Sequence, residues 1–390
     1  MPLLPTLVSL LPFLSKPQRT FLSRFLKTLC MNPGRATQLQ LARLDGPSPR
    51  SQARWATKYF PFLSIFLIFL QHQGVLDHPL VAVLDASFLP KSGKKTWGKG
   101  KFWHGCQNRT AAGREISVLG LIDLQEETAW PLDVRQTPAS LPEGETRLDF
   151  YLRHFQDKSK FFPASIKTLV VDAGYTHQRF VAGVQALGWQ IVGKLRKDAN
   201  LLYLYTGERE KRRGPARKWA GKVAVKTLDH FEEISSLQSG EEICTQVVYH
   251  KGLQRVVRVV GIRTELGPYT LLYSTDCAQS ALEIIRLYRL RFQIEFVFRD
   301  AKQYTGLGED QVRSKEGQAL HHGMALLATL VARLEERAAK NAVVSLRTRK
   351  QKMYNTALIL HVFSCQGIPA SASVVRSVLE HAQNFGCMAA

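Results

Sequence analysis

The sequence predicts an α/β protein with helical regions at both ends and a β-rich insertion, and three observations predict it. Apolar runs of strand length alternate with helix-patterned segments between about residues 79 and 197. Five more strand-like runs follow between about 198 and 277 without an intervening helix. Helical periodicity dominates before residue 79 and again after Ser280. With 390 residues, 45% of them apolar, the chain can bury a sizeable core over two or three domains.

Residues 1–78 read as a helical N-terminal domain. Phe21, Phe25 and Leu29 recur at a spacing of four, and Asn32-Pro33-Gly34 punctuates the stretch. Arg19, Arg24, Lys27, Arg35, Arg43, Arg50, Arg54 and Lys58 run through it. Such a domain either holds duplex DNA, sometimes as a helix-turn-helix, or is a helical cap with a solvated basic face. The apolar stretch 60–70 is too short to span a bilayer, so no membrane role follows.

Residues 79–197 read as the first part of a core. Strands are expected at 80–84, ending in Asp85, then at 116–122 and 129–134. A helix at 146–155 leads to a strand at 166–171, which ends at Asp172 before the turn signal Ala173-Gly174. A helix at 177–187 and a strand at 190–195 complete this part. In the β-rich insertion, 198–277, strands are expected at 201–205, 223–225, 243–249, 255–262 and 269–274. Residues 278–330 supply the second part of the core, with a helix around Glu295, and 331–390 a C-terminal helical region. A long apolar-patterned helix is expected over 317–339.

Charge points to the partner. With 53 Lys and Arg against 32 Asp and Glu, the formal net charge is +21, which suits a polyanion such as nucleic acid. The six cysteines (Cys30, Cys106, Cys244, Cys277, Cys365 and Cys387) are scattered, with no CxxC pair. That spacing argues against a zinc module or a disulfide framework and suits a reduced, cytoplasmic protein.

The helix around Glu295 has two unlike sides. At 100° per residue, Tyr288, Arg291, Glu295, Arg299 and Lys302 fall within an arc of about 80°. Leu287, Leu290, Ile294, Val297, Phe298 and Ala301 fall on the opposite side, to be buried. Arg291/Glu295 and Glu295/Arg299 could be ordinary surface ion pairs. Asp85 and Asp172, each closing an apolar strand, could singly be turn starters. Together with a helical glutamate they form the hard-oxygen donor set that Mg²⁺ or Mn²⁺ requires, and a two-ion site could activate a water or 3′-hydroxyl for phosphoryl transfer. Directly after Asp85, residues 91–101 (KSGKKTWGKGK) read as a flexible loop whose Lys94, Lys95, Lys99 and Lys101 suit phosphate. A second basic run, 211–222, carries Trp219 among Arg217, Lys218 and Lys222.

Tyr288-x2-Arg291-x3-Glu295-x6-Lys302 resembles the Tyr-Arg-Glu-Lys signature of DDE transposases of the insertion-sequence-four type in all residues and spacings. The segment 81–90 with Asp85 resembles that family's first acidic motif, and Val170-Val171-Asp172-Ala173-Gly174-Tyr175 its second. The resemblance covers roughly 79–330. It implies a ribonuclease-H-like core interrupted by a β-rich insertion, with Asp85, Asp172 and Glu295 as ligands of catalytic divalent ions. It implies that Tyr288, Arg291 and Lys302 hold phosphates of a transposon end. It further implies terminal repeats and target DNA as partners, a homodimer on the DNA, and a bacterial setting. Trp219, Tyr269 and Tyr273 are open between a base-holding aromatic and ordinary strand residues, with the latter favoured. Two other readings stay open: a DNA-binding protein derived from a transposase with its chemistry lost, and a structure-specific nuclease on the same fold.

Overall fold

Five helices precede the first strand: α1 (Leu3–Ser9), α2 (Lys16–Met31), α3 (Gln38–Arg43), α4 (Pro49–Ala56) and α5 (Phe62–His72). The computed structural model describes residues 2–208, 216–234, 241–264, 267–338 and 345–387. Ser15 and Ser48 cap α2 and α4, each with a proline in the first turn, where its missing N–H leaves no bond unmade. Phe21, Phe25 and Leu29 are buried as their spacing predicts. They belong to one apolar core that continues into the body of the protein, where the Cys30 thiol reaches the Ala328 carbonyl.

The strands and helices that follow are β1 (Leu80–Pro90), β2 (Gly100–His104), β3 (Arg109–Asp123), β4 (Thr128–Thr137), α6 (Arg147–Ser159), β5 (Thr168–Val170), α7 (Gln178–Gln185) and β6 (Gln190–Lys194). Next come β7 (Leu201–Leu204), β8 (Trp219–Lys222), β9 (Glu232–Ile234), β10 (Glu241–His250), β11 (Arg255–Thr264) and β12 (Thr270–Ser274). Helices close the chain: α8 (Ala281–Leu290), α9 (Gln293–Tyr304), α10 (Lys315–Ala338), α11 (Leu346–Cys365) and α12 (Ser373–Ala382). Among the described residues no helix is long and apolar enough to cross a membrane.

Among the described residues twelve strands join one mixed sheet, in the order β2-β3-β1-β5-β6-β12-β11-β10-β7-β8, with β4 beside β3 and β9 beside β10. β1, β5 and β6 run parallel, and the other pairings are antiparallel. The β-rich segment therefore continues the sheet, through β12 on β6, and forms no sheet of its own. Two expectations need correction. The strand at 80–84 runs on to Pro90, so Asp85 sits within β1, because antiparallel β3 pairs with all eleven of its residues. The run 223–225 is not a strand, and β8 lies just before it. Sequence reading also missed β2 and β9, short strands without a clean apolar alternation.

The helix around Glu295 is two helices. Arg291 and Phe292 stay in the right-handed helical region but tighten the turn, with Glu295 N–H donating to the Phe292 carbonyl at 3.0 Å. The two-sided pattern survives this tightening, and Leu287, Leu290, Ile294, Val297, Phe298 and Ala301 are all buried. Gly120 of β3 lets α9 lie close on the sheet. A Cβ there would stand 2.7 Å from the Trp130 carbonyl oxygen and 3.3 Å from Ile294 Cδ1.

Candidate active site

Three carboxylates carried by three separate elements gather around one arginine and one tyrosine. Strand alternation sends Asp85 and Ser87 to the face of β1 covered by α9. In the parallel pair, Ala82 stands opposite Leu169 and Val83 opposite Val170. Continuing that register beyond the end of β5 sets Asp172 level with Asp85. Asp172 begins the short turn 173–175 but makes no side-chain capping bond, so its carboxylate is not used up by the backbone. Glu295 lies in the first turn of α9, where exposed N–H groups favour negative charge.

Arg291 binds this cluster together. Its Nη1 donates to Asp85 Oδ2 at 3.1 Å and its Nη2 to Glu295 Oε1 at 2.8 Å. One planar guanidinium thus bridges the two carboxylates, which keeps them well within a nanometre. Tyr288 lies beside it, ring centroid 5.7 Å from the guanidinium carbon, and donates its hydroxyl to Asp172 Oδ1 at 3.0 Å. Burial and the charge of Asp172 push the phenol up, so it acts as a donor. Lys302 reaches Ser87 Oγ at 2.8 Å, two residues along β1 from Asp85. Arg291 Nε is buried without a hydrogen-bond partner.

The electrostatics suit a site that receives cations. Burial pushes Asp85 up from 3.8 to about 6, Arg291 opposes this, and the nearby charges of Asp172 and Glu295 add to it. Two carboxylates share the Arg291 guanidinium, and the third, Asp172, accepts from the neutral Tyr288 hydroxyl. All three are hard oxygen donors of the kind Mg²⁺ and Mn²⁺ take, and the donor set fits. Their oxygens are spaced openly. Among the described residues only His78, Asp123 and Glu126 bring three ligand atoms within 4.8 Å of one another. That tighter group is already satisfied as an ion-pair turn. Asp123 accepts from the N–H groups of Gln125 and Glu126 and contacts His78 at 2.7 Å, while Glu126 pairs with Arg337 at 2.6 Å.

The remaining expected residues divide. Arg299 turns away from the cluster onto its neighbour Asp300, at 2.9 Å, and over the Phe296 ring. Lys94, Lys95 and Lys101 are exposed, and Lys99 is half-buried. The flexible loop expected at 91–101 is instead pinned. Trp97 N–H donates to the Arg313 carbonyl at 3.0 Å, Lys315 stands over the Trp97 ring, and Lys91 turns inward to Asp310 at 3.6 Å. Tyr269, just before β12, is buried and donates to Glu242, and Tyr273 is fully buried within β12, so both are packed residues. Trp219 stacks on Tyr249 at 4.2 Å between centroids. In the second basic run, residues 211–215 lie outside the described residues.

Sequence reading missed two polar groups flanking the site. Arg114, fully buried, forms a two-bond pair with Asp310 at 2.6 and 3.0 Å beneath the loop that follows α9. On the opposite face of the sheet, Ser117 Oγ contacts His154 Nδ1 at 2.9 Å, and His154 Nε2 contacts Asp133 at 2.9 Å. This looks like a hydrolase triad, but all three side chains are buried. Their positions on two strands and α6 could not be joined without the tertiary structure.

An α/β sheet bearing carboxylates on adjacent parallel strands and a nearby helix defines a class of acidic-centre proteins. Within it, a family model for the transposase DDE domain matches residues 77–331, and the chain belongs to that family. No curated protein matches the chain. Among solved structures, it is similar to a piggyBac transposase synaptic complex with hairpin DNA, at 12% identity and a TM-score of 0.41. That match covers 85% of this chain and 64% of the other, so this chain spans less than two thirds of that protein. It is also similar to an endonuclease V from Bacillus subtilis, at 13% identity and a TM-score of 0.26, covering 70% of this chain and 94% of the other.

Proposed function

We propose that the protein is a cut-and-paste DNA transposase of the insertion-sequence-four type, with Asp85, Asp172 and Glu295 as its catalytic and metal-binding residues. The observation that carries this reading is the single network in which Arg291 joins Asp85 to Glu295 while Tyr288 holds Asp172. In this reading residues 79–197 and 278–330 form a ribonuclease-H-like core, 198–277 its insertion, and 331–390 a region that completes the core and pairs subunits. The helices of 1–78 bind terminal repeats. A groove of about 360 Å³ lined by Lys16, Thr20, Arg24, Arg54 and Trp55 supports that role.

The three carboxylates would hold two Mg²⁺ or Mn²⁺ ions. Bound there, the ions activate the attacking oxygen and neutralise the leaving one. The side chains of the chain itself position the DNA. Arg291, held between Asp85 and Glu295, would offer its guanidinium to a neighbouring phosphate. Lys302, anchored beside Ser87, and the Tyr288 hydroxyl fix neighbouring phosphates. Lys94, Lys95, Lys99, Lys101 and Arg299 contribute charge along the DNA backbone. Positioning and charge neutralisation supply most of the rate, because the protein forms no bond to the DNA.

The test is Glu295→Gln, assayed on labelled element ends with Mg²⁺ and a target plasmid. Cleavage and strand transfer should fall by about a thousandfold or more, with end binding retained. A variant that still cuts would remove Glu295 from the chemistry.

A further inference from the structure

β2 and the first residues of β3 form a two-stranded ribbon that outruns the neighbouring strand. β1 leaves β3 at Gly113, opposite Pro90, whereas β2 pairs with Arg109–Gly113. Strand alternation gives the ribbon two unlike faces. Phe102 and His104 face inward. Phe102 is buried under the Arg147 guanidinium, 4.6 Å from its ring centroid, and His104 lies 4.8 Å from the Phe88 ring.

On the other face stand Lys101 and Trp103, paired across the strands with Ala112 and Thr110, and all four are exposed. Trp103 is 51% exposed. Its cross-strand partner is the small Thr110, and among the described residues no other ring or cation stacks on it. A singly exposed apolar residue is ordinary on a surface, so exposure alone decides nothing. The setting does. From residue 91 to 114 the chain has seven lysines and arginines and not one aspartate or glutamate; Lys91 and Arg114 turn inward to Asp310, while Lys94, Lys95, Lys101 and Arg109 are exposed. An open indole on a flat, acid-free, cationic ribbon is complementary to a polyanion with apolar sugar and base edges.

We propose that this face of the β2–β3 ribbon is a docking surface for duplex DNA flanking the cut site. Trp103 is its apolar contact and Lys101 its phosphate contact. The inference rests on the transposase reading above and adds a contact site to it. The register fixes where the contact falls. Asp85 stands opposite Val118 and Trp103 opposite Thr110, eight residues apart along β3. At about 3.3 Å per residue this is roughly 26 Å, or about eight base pairs along a duplex lying beside the ribbon.

The experiment uses the full chain and a fluorescein-labelled duplex of about 30 base pairs and arbitrary sequence. Anisotropy is followed from about 50 to about 200 mM salt. Trp103→Ala should weaken binding by at least about fivefold at every salt concentration, with the salt slope unchanged, and Trp103→Phe should recover most of the loss. Lys101→Ala should flatten the slope by about one, because each lost phosphate contact removes about 0.9. Trp103→Ala binding as tightly as wild type would overturn the proposal. So would a loss of affinity accompanied by a change in sedimentation mass, which would assign the face to a second copy. If the wild-type chain binds no duplex at all, the transposase reading falls too. If it binds and its cutting needs Glu295, an unchanged Trp103→Ala variant defeats only this inference.

Discussion

Two polar constellations lie on opposite faces of the same sheet, and they differ in how far their groups are satisfied and exposed. Ser117, His154 and Asp133 have the residue types and contacts of a catalytic triad, yet all are buried and each is bonded to its neighbour. Lys158 also neutralises Asp133, at 3.0 Å. Asp85, Asp172, Glu295 and Arg291 are the reverse. Glu295 keeps 43% of its side chain exposed, burial pushes the Asp85 carboxyl up to about 6, and Arg291 Nε lacks a partner. The satisfied group fixes α6 to the sheet. The other group keeps a buried guanidinium N–H without a partner and a carboxylate open to solvent. Residue type alone does not separate structure from chemistry, but satisfaction and access do.

Substitutions should separate the two faces in opposite senses. The largest effect is expected for Asp172→Asn, which should lower metal-dependent cleavage by about a thousandfold or more while leaving urea unfolding nearly unchanged. Next, Arg114→Met strands Asp310 in the interior. Breaking a buried pair of this kind costs about 3–5 kcal/mol, read as a lower urea midpoint. A midpoint within error of wild type would show that this pair does not hold the loop after α9.

The pH dependence of stability comes next. The folded pKa of Asp85 is raised by burial from 3.8 to about 6, so between those values the native state holds a proton that the unfolded chain has lost. Stability without divalent ions should therefore fall as pH rises through that window, by on the order of 2–3 kcal/mol, and Asp85→Asn should remove that component. The same proton competes with a cation, so Mg²⁺ should stabilise the protein more above pH 6 than below it. Equal stabilisation on both sides would take Asp85 out of the metal site.

Ser117→Ala should cost about 1–3 kcal/mol by leaving His154 Nδ1 unpaired, with the cleavage rate unchanged. A matching loss of cleavage would undo the contrast drawn above. The smallest effect is expected for Tyr288→Phe, which removes one hydrogen bond to Asp172. Single-turnover cleavage should slow by up to about tenfold, with the fold intact.

Much of the site was legible in the sequence because its signals are local. The spacing from Tyr288 to Lys302 predicts which side chains share a helix face, and the apolar residues between them are buried as expected. Arg299 is the exception on that face, since Asp300 next to it offers a nearer carboxylate than the site does. The apolar runs before Asp85 and Asp172 predict buried strands, which the parallel pairing of β1 and β5 confirms. The 91–101 loop was misread as free because its glycines and lysines are chemically those of a solvated segment. Its anchors, Asp310, Arg313 and Lys315, come more than two hundred residues later.

What the sequence determined alone was short-range: where apolar periodicity starts and stops, which residues share a helical arc or a strand face, and the excess of positive charge. Periodicity and spacing are properties of neighbouring residues, so they survive in the linear chain. The tertiary structure decided what depends on through-space distance. It extended β1 past Asp85 by pairing it with β3, set Asp172 level with Asp85, bridged Asp85 to Glu295 through one guanidinium, and buried the Ser117 group while leaving Trp103 open. Desolvation and hydrogen-bond satisfaction exist only between groups that folding has brought together.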